Sequence, residues 1–301
     1  KNKITNITTS GPGKYVFGIL HSGAAAMTIS NLFANNFVSI PAASSERSDQ
    51  LVIGIGDWAA TGGTANTAEF YYNSVYVGGT SFGATEFSSA FYHGAFAANP
   101  STAKDNIFYN NRTGGDGVAI EADKTTLVSD YNDLYASSGT TGYYGATVAT
   151  TLADWTTASG QDANSKSEAP TYKTNLDLHM KVGTATTLDN AGTPVSVLDD
   201  IDGDARGLGK VAPDIGADEF EAGAPGAFVL VSPTSGATNV PVNGNLTWNA
   251  SPNTYTYDVY LDTLSSPGLV GNVTGTSYPY SGLTGSTKYY WLELSNLLFY
   301  R

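Results

Sequence analysis

Between residues 29 and 139 the chain repeats one pattern of polar and apolar positions: an asparagine, a short apolar or aromatic run, then Asn, Gly or Ser. The phrases are "ISNLFANNF" (29–37), "YYNSVYVGG" (71–79), "KDNIFYNNRTGG" (104–115) and "SDYNDLYASSG" (129–139). Aligned on Asn31, Asn73, Asn106 and Asn132, they recur at intervals of 42, 33 and 26 residues. Short runs rich in β-branched and aromatic residues, broken by turn formers, predict strands. Their unequal spacing predicts a coil whose turns carry loops of different length. A parallel β-helix is such a coil: each strand stacks on the next rung about 4.8 Å away and buries alternate side chains, here Val75 and Val77. The four asparagines are then turn residues, tolerating the left-handed conformation while their amides bond to the Asn above and below. The competing arrangement is a β-sandwich with Asn/Gly hairpins, whose two-residue signal is scarce over residues 1–220.

The pattern changes after residue 140. In "TLADWTTASGQDANSKSEAPTY" (151–172) the Leu, Trp, Ala spacing and Thr151 as a cap predict a short helix on a surface excursion between rungs. "EFEAGAPGAF" (219–228) reads as a boundary, with 222–227 as linker. Beyond it, polar and apolar residues alternate at period two, and Tyr257, Val259 and Leu261 share one face of a strand that follows the strand ending at Trp248. The expected organisation is a β-helix over 1–221, with an end cap at about 198–220, and a small β-sandwich over 228–301. The last strand of that sandwich is either "NLLFYR" (296–301) or missing, which would leave an edge open to a strand from another molecule.

Composition narrows the classes. The 301 residues include 34 Gly, 19 Tyr and 12 Phe, in keeping with an all-β chain with many tight turns. A net charge of −13, with no local Lys/Arg cluster, argues against nucleic acid and anionic lipid as partners. The absence of cysteine removes disulfides, thiolate metal sites and cysteine nucleophiles. No run of 18 apolar residues predicts membrane insertion. An acidic, Gly/Ser/Thr/Asn-rich, cysteine-free composition fits a secreted bacterial surface protein, and with no initial Met and no basic-then-apolar leader the sequence reads as a processed or partial chain.

The phrases "YYNSVYVGG", "KDNIFYNN", "SDYNDLY", "ADWTTASGQDANS", "DLHMKVGTATTLDNAGTP" and "DIDGDARGLGKVAPDIGADEF" resemble the right-handed parallel β-helix repeat proteins secreted by Bacteroidetes-like bacteria. The last of them is similar to the end cap of such proteins. "LTWNAS", "YDVYLD" and "TKYYWLE" resemble a fibronectin type III-like module. The resemblance implies an extracellular or cell-surface location and a family that includes adhesins and polymer-binding proteins.

Candidate chemistry is sparse. Asp199, Asp200, Asp202 and Asp204 alternate around Gly203, a spacing that can converge hard oxygen ligands on one Ca²⁺. The alternative is an acidic turn in which Asp202 or Asp204 pairs with Arg206 and Asp214 accepts backbone N–H groups. The pairs Tyr71 and Tyr72, and Tyr143 and Tyr144, together with Trp155, are candidates for stacking on sugar rings, against core packing of one member of each Tyr pair. A pectate-lyase-like reaction needs stacked carboxylates and a cationic base. Glu69, Glu86, Asp105, Asp116, Glu121 and Asp130 look scattered, however, and Arg112 reads as a solvated loop charge. His21, His93 and His179 look isolated, and neither a phosphate-binding Gly loop nor a Gly-x-Ser-x-Gly elbow occurs. The expectation is an extracellular, non-enzymatic structural or adhesive protein that self-assembles or contacts polysaccharide. It needs no cofactor, with calcium as the candidate ion. Its alternatives are a polysaccharide lyase and a carbohydrate-binding module.

Overall fold

The structure is a computed structural model. It describes residues 1–7, 15–22, 30–41, 51–58, 67–81, 83, 86–94, 100–123, 126–207, 210–220, 229–251, 254 and 256–296. The chain is all-β and divides into two compact units, Lys1–Lys181 with Thr186–Phe220, and Val182–Ala185 with Glu221–Arg301. The linker expected at 222–227 and the terminal strand expected beyond residue 296 lie outside the described residues.

The first unit contains β1 (Asn2–Ile4), β2 (Tyr15–His21), β3 (Ser30–Ala34), β4 (Asn36–Ile40), β5 (Leu51–Asp57), β6 (Thr67–Tyr71), β7 (Ser74–Val77), β8 (Phe87–His93), β9 (Ser101–Lys104), β10 (Ile107–Asn110), β11 (Asp116–Ala122), β12 (Leu127–Asp130), β13 (Asp133–Ala136), β14 (Gly142–Tyr144) and β15 (Thr147–Ala149). Each strand from β1 to β11 pairs in parallel with the strand three places later, so the chain passes through three sheets in rotation. The first sheet is β1-β4-β7-β10-β13, the second β2-β5-β8-β11-β14 with β15 antiparallel at its edge, and the third β3-β6-β9-β12. Parallel register places like on like: Val38, Val75, Phe108 and Leu134 form one buried column. Phe33, Phe70, Phe91 and Phe108 continue the packing, with successive ring centroids 5.0, 5.2 and 4.8 Å apart. Val75 and Val77 both belong to this core.

The corner between the third and first sheets sets the stack. Asn36 Nδ2 donates to Asn73 Oδ1 at 2.8 Å, Asn73 Nδ2 to Asn106 Oδ1 at 2.8 Å, and Asn106 Nδ2 to Asn132 Oδ1 at 3.0 Å. The backbone N–H of each donates to the same oxygen, and Asn132 N ends the series on Ser165 Oγ at 2.8 Å. Asn2 extends it at the other end. The ladder corrects two expectations. Asn31 lies inside β3, and its amide meets His21 Nε2 at 3.1 Å; the rung member is Asn36. Nor do the ladder residues take the left-handed conformation: it falls one place earlier, at Asn35, Tyr72, Asp105 and Tyr131, with φ between 51° and 60°. That residue turns the chain so that the following Asn points into the corner, where it is shielded from water.

Helix α1 (Leu152–Ser159) starts with a capping box between Thr151 and Asp154. It is not a surface excursion, because Trp155 is fully buried in the core cluster and donates Nε1–H to Asp162 Oδ2 at 2.7 Å. With Leu152 packed beside it, α1 closes the core at the last rung. Residues 198–207 and 210–220, expected within an end cap, instead run along the outer face of the first sheet together with 168–181 and 186–193. Asn35 Nδ2 donates to Asp199 O at 2.6 Å, Ala217 N to Ser74 Oγ at 2.9 Å, and Glu168 N to Asp133 Oδ1 at 2.9 Å. Both faces of the first sheet are thereby covered, which explains why β4 and β7 are buried along their whole length.

The second unit has two antiparallel sheets among its described residues. One is β16 (Leu230–Ser232), β17 (Gly244–Trp248) and β20 (Ser277–Tyr280); the other is β19 (Leu269–Val273), β18 (Thr256–Asp262) and β21 (Tyr290–Asn296). Leu246, Trp248, Tyr257, Val259 and Tyr280 form their common core, with Leu261 packed against it.

Two outcomes follow. Asn106→Leu removes the acceptor of Asn73 and the donor to the carbonyls of Phe70 and Lys104, and should destabilise the first unit by about 3 kcal/mol or more in urea unfolding. Asp105, whose Oδ1 accepts Thr193 N–H at 2.7 Å, has its carboxyl pushed up to about 8, chiefly by burial. Its folded value exceeds the unfolded 3.8, so its stabilising contribution is complete below that pH and is lost as pH rises toward 8. Asp105→Asn suits the positive φ and should gain stability over the parent at pH 8 relative to pH 5.

Candidate functional site: an aromatic and carboxylate face

The outer face of the second sheet carries a run of aromatic rings. Tyr15 and Phe17 alternate on β2, and Trp58 follows β5, held in the ladder by its N–H on His21 O at 2.8 Å. Centroids of Tyr15 and Phe17 lie 6.3 Å apart, Phe17 and Trp58 6.1 Å, Tyr15 and Trp58 6.0 Å, and Trp58 and Tyr92 5.5 Å. Gly56 and Gly94 let the rings lie down on the sheet: a Cβ would come within 2.9 Å of the Phe17 ring at the first and 2.7 Å of Tyr92 at the second. Tyr15 is 65% exposed, and the other three are half-buried.

Acidic groups continue the face. Leu20, Gly56, Tyr92, Glu121 and Tyr143 occupy one register position across five strands. Tyr143 Oη donates to Asp116 Oδ1 at 2.5 Å, and its ring lies 6.1 Å from Phe87. Burial, then the charges of Asp123 and Asp116, push the Glu121 carboxyl up to about 7. Burial and the same acidic neighbourhood raise the Tyr92 hydroxyl. Flat apolar rings beside hydrogen-bond acceptors suit the two faces of a sugar, apolar C–H on one and hydroxyls on the other.

Of the predicted sugar-stacking residues, only Tyr143 reaches this face. Tyr144 packs against the core and edge-on to Trp155, which is buried. Tyr71 and Tyr72 are buried as well, Tyr72 beneath the Arg206 guanidinium at 4.0 Å. Arg112 is only 2% exposed, not a solvated charge. It donates to Ser81 Oγ at 2.7 Å and lies 3.5 Å from Glu86, so it braces the 78–81 turn and cannot serve as a base on a substrate.

The four aspartates predicted for calcium do not converge. Asp199 pairs with Lys1 Nζ at 2.6 Å. Asp200 Oδ1 accepts the N–H groups of Asp202, Gly203 and Asp204, and its Oδ2 accepts that of Glu219. Asp202 meets Lys3 at 3.2 Å and His179 Nε2 at 2.7 Å. Burial and then Asp200, Asp202 and Glu219 push Asp204 up to about 6. Among the described residues, no three of these four bring ligand atoms within 4.8 Å of one another. Arg206 pairs with Glu219 and Asn35 rather than with an aspartate of this loop, whereas Asp214 does accept backbone N–H groups, from Asn190 and Phe220.

The histidines are not isolated. His21, Asp57 and His93 stack at one register position on β2, β5 and β8. His21 Nδ1 lies 2.7 Å from Asp57 Oδ1, His93 Nδ1 2.9 Å from Oδ2, and Ser101 Oγ donates to Oδ2 at 2.5 Å. Burial alone would raise the Asp57 carboxyl, but hydrogen bonds from His21 and His93, the charge on His93 and the Ser101 hydroxyl hold it well below the usual range. The signal was present in the sequence as equal spacings of 36 residues. The cluster is buried and structural in position.

Comparison with protein-family models, curated proteins and solved structures returns no match to this chain. No helix among the described residues is long and apolar enough to cross a membrane.

Asp57→Leu should cost about 3 kcal/mol or more by leaving the buried polar groups of His21, His93 and Ser101 without the carboxylate they share. The parent's contribution from Asp57 is present above about pH 4 and is lost only as pH falls through the depressed folded value, so urea unfolding of the two proteins should converge toward strong acid.

Proposed function

We propose that the first unit is a parallel β-helix, right-handed as its resemblance implies, joined to a fibronectin type III-like sandwich, and that the chain is an extracellular structural or adhesive protein that holds polysaccharide without turning it over. The rotation of the chain through three parallel sheets supports the first part, and the paired three-stranded antiparallel sheets support the second. The observation that carries the function is the flat run Tyr15, Phe17, Trp58 and Tyr92 bordered by Glu121 and Tyr143. A rigid sheet spaces these rings without an ordering cost on binding.

A second reading, a polysaccharide-active enzyme, draws on one feature: a carboxyl held near pH 7 among other acids can act as a general acid.

Affinity electrophoresis through gels containing neutral or acidic polysaccharides tests the reading. The parent should be retarded by at least one of them, and Trp58→Ala should weaken retention about tenfold with unchanged unfolding. A parent retarded by none overturns it. Release of reducing ends or unsaturated sugars, abolished by Glu121→Gln, would establish the enzyme instead.

A further inference from the structure

Apart from the aromatic face, the strongest grouping of ligand atoms lies where the covering segment crosses β1 and β4. His179, Asp202 and Asp218 each offer one ligand atom there, all within 4.8 Å of one another. Three separate stretches of chain supply them. His179 comes from the segment bridged at Tyr172 and Met180, with its ring 4.7 Å edge-on from buried Phe37. Asp202 comes from the turn that Asp200 pins through three backbone N–H groups. Asp218 is 9% exposed and fixed by Met180 N–H on Oδ2 at 2.8 Å.

The hydrogen bonding of the imidazole points to a cation. Nδ1 faces Asp177 Oδ1 in a short contact; the tautomer with its proton there presents an acceptor, Nε2, to Asp202 Oδ2, 2.7 Å away. Two acceptors at that distance repel unless a proton or a metal ion lies between them. A carboxylate on the distal nitrogen is also the arrangement that orients metal-bound histidines and raises their basicity. The site already attracts positive charge, since Lys3 Nζ sits 3.2 Å from Asp202 Oδ1 and 3.4 Å from His179 Nε2. Asp202, 46% exposed, leaves a path for entry.

We propose that His179 Nε2, Asp202 and Asp218 bind one divalent transition-metal ion, Zn²⁺ by preference, with Asp177 orienting the imidazole and Lys3 as the ammonium the ion displaces. One nitrogen and two carboxylate oxygens match Zn²⁺ in donor type, and two negative charges balance the ion. Tetrahedral bonds of about 2.0–2.2 Å set ligand atoms about 3.4 Å apart, so His179 Nε2 and Asp202 Oδ2, now 2.7 Å apart, open to admit the ion while Asp218, within 4.8 Å of both, closes on it. Remaining positions fall to water. A bound ion would tie the covering segment to itself at three points, which makes unfolding temperature a second readout.

The test is titration of metal-free protein with Zn²⁺ by calorimetry and with Co²⁺ by visible absorption. One ion per chain is expected, with ligand-field bands of a low-coordinate Co²⁺ site and a higher unfolding temperature in Zn²⁺. His179→Ala and Asp218→Asn should each abolish binding or weaken it at least about tenfold, and Asp177→Asn should weaken it about 10–100-fold. Lys3→Met, which removes the competitor and none of the ligands, should tighten it and covers the case in which a ligand variant fails to fold. Absence of saturable Zn²⁺ binding in the parent shows that a proton alone bridges His179 and Asp202 and overturns the assignment. So does binding that persists unchanged in both ligand variants, or that weakens in Lys3→Met.

Discussion

The stack depends on backbone N–H groups at one corner being answered by a side chain of the next three-strand repeat. Away from water, each such group left without a partner costs about 1–3 kcal/mol, and the corner between the third and first sheets recurs in every repeat. Asparagine meets the demand because one amide both accepts and donates. Its oxygen takes two N–H groups from the preceding coil, while its nitrogen reaches the oxygen of the following one and a strand carbonyl. The parallel register, the Phe33 to Phe108 packing and the stacked His21–Asp57–His93 cluster all require this alignment.

Much of that corner was legible in the sequence because turn chemistry is local. Asn73, Asn106 and Asn132 stand directly before their strands and could be aligned by eye. Asn31 could not be told from Asn36 on that basis, since "NLFANNF" offers an asparagine on both sides of a strand. The distinction lies in what each amide meets, Asn73 or His21. Trp155 looked like a surface residue because a helix with a single large apolar side chain resembles a loose excursion. Arg112 looked solvated and Glu86 merely scattered because their pairing joins stretches far apart in sequence.

The candidate sites were less legible for a related reason. "DDIDGDARG" suggested convergence of its own carboxylates, yet the partners that claim them, Lys1, Lys3, His179 and the Glu219 backbone, lie far away in sequence. The aromatic face is assembled from residues on separate strands whose rings matter only once Gly56 and Gly94 let them lie flat. Single residues in this chain therefore say little until coil length is known, and coil length is what the irregular spacing conceals.

That irregularity has a bearing on how such a chain tolerates heritable changes of length. From Asn36 to Asn73, Asn106, Asn132 and Ser165 the intervals are 37, 33, 26 and 33 residues, yet the ladder bonds stay between 2.8 and 3.2 Å. Insertions and deletions between strands are absorbed at a loop-closure cost that grows only as the logarithm of length. One residue added at the corner would move the left-handed turn off its position and rotate the amide out of line. Selection on length is thus concentrated in the two corner residues of each three-strand repeat, and the segments between strands are where length can vary.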